Sequence, residues 1–232
     1  MTVLTIYLVT LVVGVRGDLP LSWPRGTYGL PMPIEGCPNS RFKWREGTRY
    51  QDTDDSNPGN VFPEKFRLAG DKDKSFLEHK FCIKTEFRPL LDVEVEDDAF
   101  SGGQYCIYKK DRCPTGFKTG YIKWDDEDGN NGNSYSGTLP DGTYDQDTVI
   151  FFCCRNDGPT YRPIPLPTDD PFVLFPTDEE CQEVQGMTSE LQWYKWDTEN
   201  RGNADKFVGS LPSHRGNPDI QLAFCVYSKK SV

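Results

Sequence analysis

The chain is 232 residues long, 36% hydrophobic and 27% charged, with a formal net charge of −10. An acidic balance of that size disfavours phosphate backbones and anionic lipid, so nucleic acid is the first partner to be excluded. After residue 17 no apolar run is long enough to cross a bilayer, so membrane insertion is not expected either.

Residues 1–17, MTVLTIYLVTLVVGVRG, hold a short apolar run that ends in Val15-Arg16-Gly17, as a signal peptide does. A signal anchor is the competing reading. Cleavage would start the mature chain near Asp18, make it secreted and extracellular, and leave residues 18–232 as a single β domain. Residues 18–36, dense in Pro and Gly, read as an extended lead-in docked by Trp23 and Tyr28.

Short runs rich in β-branched and aromatic residues follow at Phe81–Ile83, Tyr105–Ile107, Val149–Phe152 and Ala223–Val226, each bounded by turn residues. They predict strands, several of them buried on both faces. Pro163, Pro165, Pro167, Pro171 and Pro176 predict a linker that wraps the surface instead of pairing. The one helix candidate is Thr177–Gly186, where Thr177 with Glu180 three residues later makes a capping pattern.

The chain repeats itself. Trp124–Cys154 lies without a gap on Trp196–Cys225, placing Asp125 on Asp197, Glu127 on Glu199, Asn131 on Asn203 and Leu139 on Leu211. An upstream copy opens at Asp52, with Asn60 eight residues before Leu68, as Asn131 stands before Leu139. Cys82, Cys153 and Cys225 fall 71 and 72 residues apart, and a fixed period means a repeated supersecondary unit. The copies cover about residues 37–105, 106–158 and 181–227. Three strand-rich copies predict an all-β domain of pseudo-threefold, β-prism-like architecture, with a β-sandwich as the alternative.

Eight cysteines in an oxidising compartment can all pair. Each copy has an opening and a closing cysteine, which points to Cys37–Cys82, Cys113–Cys153 and Cys181–Cys225 and leaves Cys106–Cys154 as the fourth bridge. The neighbours Cys153 and Cys154 face opposite ways on a strand and take different partners. Which takes which stays open.

The polar half of each copy is an acidic loop: DTDDSNPGN (52–60), DDEDGNNGN (125–133) and DTENRGNAD (197–205). Oxygen donors at that density suit Ca²⁺, with Asp125, Asp126, Glu127 and Asp128 as the densest set, although none fits the EF-hand register. The alternative is that Asp, Asn and Gly build turns. Trp124 and Trp196 directly precede two of the loops, and an aromatic face beside carboxylates and amides is how many proteins hold sugars. The candidate ligand-binding residues are therefore Asp52, Asp54, Asn57, Asn60, Trp124, Asp125, Glu127, Asn131, Trp196, Asp197, Glu199 and Asn203. The competing reading places the tryptophans in the core.

Catalytic motifs are missing: His79 and His214 lie near no Ser or Cys signature, and there is no P-loop, dinucleotide fingerprint or HExxH. The expectation is no enzyme and no required cofactor. A glycosidase pair of carboxylates is the enzymatic alternative, though abundant acids single out no pair.

From WPRGTYGLPMP (23–33) and GCP (36–38) through YQDTDDSN, FCIKT, YCIYKKDRCPTGF, WDDED, GTLPDGTY, FFCCRNDG, CQEVQGM and WDTEN to the closing FCVY (224–227), the chain resembles the C-terminal domain of apextrin and apextrin-like proteins, the ApeC domain. The resemblance implies extracellular recognition in innate immunity, with bacterial peptidoglycan and its muramyl dipeptide unit as partners, or a matrix or adhesive role with protein partners and possible homo-oligomers. CPTGF followed by DQDTVIFFC also resembles vitelline membrane outer layer proteins, which implies a β-prism.

Overall fold

The aromatic and β-branched runs are strands, and the segments rich in Asp, Asn, Gly and Pro connect them. The computed structural model describes residues 22–53, 59–86, 99–199, 201–216 and 218–230, and within them every regular element is a strand. The expected signal peptide at 1–17 lies outside the described residues, as do Asp54 and Asn57. In chain order the strands are β1 (Tyr28–Pro31), β2 (Arg45–Asp52), β3 (Phe76–Lys84), β4 (Gln104–Lys109), β5 (Lys118–Trp124), β6 (Ser134–Gly137) and β7 (Gly142–Tyr144). They continue with β8 (Thr148–Asn156), β9 (Phe172–Pro176), β10 (Met187–Trp196), β11 (Lys206–Gly209), β12 (His214–Arg215) and β13 (Ile220–Lys229).

Three long strands carry the pairing. β3 lies between β1 and β2, β8 pairs β4 and β5, and β13 lies between β9 and β10, all antiparallel. The short strands β1, β4 and β9 join these groups, β1 to β4 and β4 to β9. The result is one antiparallel sheet whose main path, β10-β13-β9-β4-β1-β3-β2-β6, stays open at both ends.

The segment after each acidic loop leaves its own hairpin. β6 follows the loop at 125–133 and pairs with β2, β11 follows the loop at 197–205 and pairs with β5, and Val61 bridges Lys195 on β10. Two glycines make the first two crossings possible. A Cβ on Gly47 would stand 2.0 Å from Thr138 O, and one on Gly120 would stand 2.1 Å from Ser210 O. The matching position on β10 is Gln192, whose side chain accepts from Arg67 N–H at 3.3 Å and donates to Lys65 O at 2.9 Å in place of a backbone crossing.

Alternation sorts side chains into two apolar layers. One holds Phe81, Trp124, Phe152, Tyr194, Trp196 and Phe224; the other holds Trp23, Tyr28, Trp44, Tyr105, Phe172 and Tyr227. Burying a large apolar side chain is worth about 1.5–3 kcal/mol, so these layers hold the sheet together. Cys153 and Cys154 point into different layers. Four disulfides result, Cys37–Cys82, Cys113–Cys153, Cys181–Cys225 and Cys106–Cys154, the last joining directly opposed residues of β4 and β8.

Three expectations are corrected. The proline-rich segment does not simply wrap the surface: Phe172–Pro176 is the buried strand β9, paired with β13 and β4, and Ile164 and Leu166 are buried too. Its prolines fall at or beyond the strand ends, where a missing N–H is tolerated. The lead-in also contributes an inner strand, β1. Thr177–Gly186 is not a helix, because its backbone bonds go to residues 160–164 (Glu183 N–H to Thr160 O, Gln185 N–H to Ile164 O) and Cys181 is tied to Cys225.

Candidate functional site

The acidic loops meet at one end of the sheet, and each is held by the copy before it. Asp52 donates its N–H to Asn133 Oδ1 (2.6 Å) and accepts from Gly132 N–H with Oδ2 (2.6 Å). Asp125 repeats both bonds, donating its N–H to Asp205 Oδ1 (2.9 Å) and accepting from Ala204 N–H (2.8 Å). Asp197 donates its N–H to Asn60 Oδ1 (2.8 Å), and its carboxylate packs so close to Gly59 that a Cβ there would lie 2.8 Å from Oδ2. Glu127 N–H and Glu199 N–H donate to the carbonyls of Asp52 and Asp125.

The repeated Asp therefore clasps a neighbouring loop. Charge-assisted bonds of this kind are the stronger ones. The clasp also corrects the repeat alignment. Asn60 is the counterpart of Asn133 and Asp205, each eight residues after its own copy's Asp, and not of Asn131. Asn131 and Asn203 brace their own loops, donating to Glu127 O at 2.5 Å and Glu199 O at 2.8 Å.

Trp124 and Trp196 are each 1% exposed, with ring centroids 5.1 Å apart in the core. They cannot present a face to a ligand. At the matching position the first copy has Gln51, and His79 fills the space, stacked on Trp196 at 5.0 Å. Trp196 Nε1–H donates to His79 Nε2 at 3.2 Å, and that nitrogen lies 3.1 Å from Gln51 Oε1. Burial, aided by the Arg49 charge, pushes His79 down to about 3, so the ring is neutral.

Gln51 Nε2 continues the chain by donating to Asp126 Oδ1 at 2.7 Å. Asp126 also accepts from Thr148 (2.5 Å) and Asn133 (2.9 Å) and lies 3.5 Å from the buried Arg49 guanidinium. Burial pushes its carboxyl up to about 7, against the opposing pull of these donors and Arg49.

The expected metal set does not converge. Asp125 reaches the next loop, Asp126 is sealed in the core, Glu127 Oε1 accepts from Gly129 N–H, and Asp128 Oδ1 accepts from Gln146 Nε2. Among the described residues no group of three or more His, Cys, Asp or Glu is placed to hold a cation.

One ring of this end stands open. Two residues after Asn60, Asn133 and Asp205 come Phe62, Tyr135 and Phe207, aromatic in every copy. Phe62 packs against Phe66 at 5.2 Å and Phe207 stacks on His214 at 4.5 Å. Tyr135 is 62% exposed. Its ring stands 6.2 Å from Tyr144 at an angle of 47°, and the pair flanks an open groove of about 610 Å³. Asp128, Asn131, Asn133, Ser134, Asp145 and Gln146 complete the wall. Of the described residues among the sequence-expected ligand set only Asn131 lines it, together with Asp128 from the expected metal set. Tyr135, Tyr144 and Gln146 were missed, and counting eight residues from each Asp instead of back from each Leu would have aligned the rings.

Neither a curated protein nor a solved structure matches the chain. A family model described as the C-terminal domain of apextrin matches residues 23–227. With nearly its whole length inside that match, the chain belongs to the ApeC family.

Proposed function

We propose that the protein is a secreted, non-catalytic recognition protein that binds bacterial cell-wall glycan in the groove beside Tyr135. Family membership and four disulfides support an extracellular, immune-related setting. The observation that carries the location is the uncovered ring: the same position is aromatic in each copy, and only Tyr135 faces solvent among amide and carboxylate groups. A ring covers the C–H face of a sugar while amides and acids take its hydroxyls. A binding role without turnover fits the closed state of Asp126, a carboxyl raised to about 7 by burial and sealed away from the groove. In the same reading the three hairpins and their exchanged segments form a threefold β-prism, and binding needs no resident Ca²⁺.

Pull-down of the mature chain on insoluble peptidoglycan tests the reading. Binding is expected to persist in chelator, to fall in Tyr135→Ala and to survive in Phe207→Ala. Retention by Tyr135→Ala would move the site elsewhere. Binding to matrix proteins with none to glycan would favour the adhesive role, and release by chelator would bring Ca²⁺ back.

A further inference from the structure

The groove has a one-sided charge. Asp128 and Asp145 are its charged lining residues, both are exposed, and neither makes an ion pair among the described residues. The nearest cations are committed elsewhere. Lys123 pairs with Asp147 at 2.8 Å and Asp125 at 3.4 Å. Arg49 feels Asp145, but its guanidinium is buried, faces Asp126 and donates to Thr148 Oγ1 and to the carbonyls of Asp145 and Asp147. Donors in the wall are also turned inward: Asn131 and Asn133 spend their amide hydrogens on Gln146 O and other acceptors of the loop. What the groove offers a ligand is therefore two carboxylates, Ser134 and the exposed ring of Tyr135, since Arg49 already lies 5.9 Å over the Tyr144 ring.

That combination suits a cation. An ammonium group is attracted to a tyrosine face and to carboxylates together, whereas a ligand carboxylate would meet like charge. Resting on the proposed glycan-binding role, we infer that the groove selects primary ammonium groups of the cell wall over its N-acetylated and carboxylate-bearing parts. Two sources carry that chemistry: glucosamine units lacking their acetyl group, and the side-chain ammonium of a lysine or diaminopimelate in a stem peptide. Selection by Coulomb attraction at an exposed site is modest and falls with salt.

Titration of the mature chain with glucosamine oligomers and N-acetylglucosamine oligomers of equal length, and with a lysine-containing stem peptide before and after acetylation, tests the inference and separates the two sources. The expected result is tighter binding of at least one ammonium-bearing ligand than of its acetylated partner, by about threefold to tenfold at low salt, shrinking at high salt. The Asp128→Asn and Asp145→Asn double variant is expected to erase the difference between the two forms while leaving thermal stability unchanged. Equal binding of both forms, or a preference that survives the double variant, overturns the inference while leaving the glycan role intact. Binding of none of these ligands, with peptidoglycan pull-down also lost, sinks both.

Discussion

In the second copy the ring two residues beyond the clasp, Tyr135, is open to solvent; in the third the corresponding ring, Phe207, lies under His214. The loops before them are otherwise built alike. Asn133 and Asp205 each accept from the N–H of the preceding copy's Asp, and Asn131 and Asn203 each brace the loop from inside. The bonds that hold the two loops are alike, and what covers the ring differs. The carboxylates at this end divide the same way, into those that lock a neighbouring loop and those that stay exposed at the surface.

The largest effect should come from the buried pair beneath the clasp. Arg49→Met leaves Asp126 in the core without its counter-charge and is expected to cost about 3–5 kcal/mol in urea unfolding at pH 8. The loss should be smaller at pH 5, where a carboxyl raised to about 7 is already neutral. An equal loss at both pH values would mean that the ion pair is not what Arg49 supplies.

Next come the two classes of surface acid. Asp125→Ala removes the acceptor of Ala204 N–H and should destabilise by about 1–3 kcal/mol. Asp128→Ala should stay within about 0.5 kcal/mol by the same measurement, because its side-chain bond to Gln146 is exposed. The rings sharpen the contrast: Phe207→Ala should lower stability by about 2 kcal/mol, less than for a fully buried Phe, and leave glycan binding alone. Tyr135→Ala should do the reverse, read by melting temperature and pull-down together.

The smallest effect is in the pH profile. His79 drops from 6.5 to about 3 on folding, so acidification below 6.5 protonates the unfolded chain first and removes stability. Asp126 rises from 3.8 to about 7, so the folded chain takes its proton first and acidification over that span adds stability. The two oppose each other between about 4 and 6.5. In Asp126→Asn the opposition is gone, and acid destabilisation is expected to begin near pH 6.5 instead of near pH 4. An unchanged onset would refute the coupling of signs.

The strands at Phe81–Ile83, Tyr105–Ile107, Val149–Phe152 and Ala223–Val226 were legible because bulky residues alternate there between two apolar layers. The cysteine positions were legible because each copy opens and closes with one. β9 was hidden by its prolines, which end the strand without interrupting it. The role of the acids was hidden for a different reason: Asp, Asn and Gly at high density look the same whether they bind a cation, turn the chain or hold a neighbour. Only the positions of Gly132 and Ala204, whose backbone N–H groups carry no side-chain signature, decide among these.

Asp197 is bonded to Asn60 across 137 residues of chain. During translation the first hairpin is finished long before its loop's partner exists, and the edge that will receive Val61 has not yet been made. Contacts of such long range slow folding and expose unfinished strands to aggregation. A truncated product ending before β10 would therefore leave the first loop unanchored, and the molecule stays incomplete until β10 and Asp197 have been made.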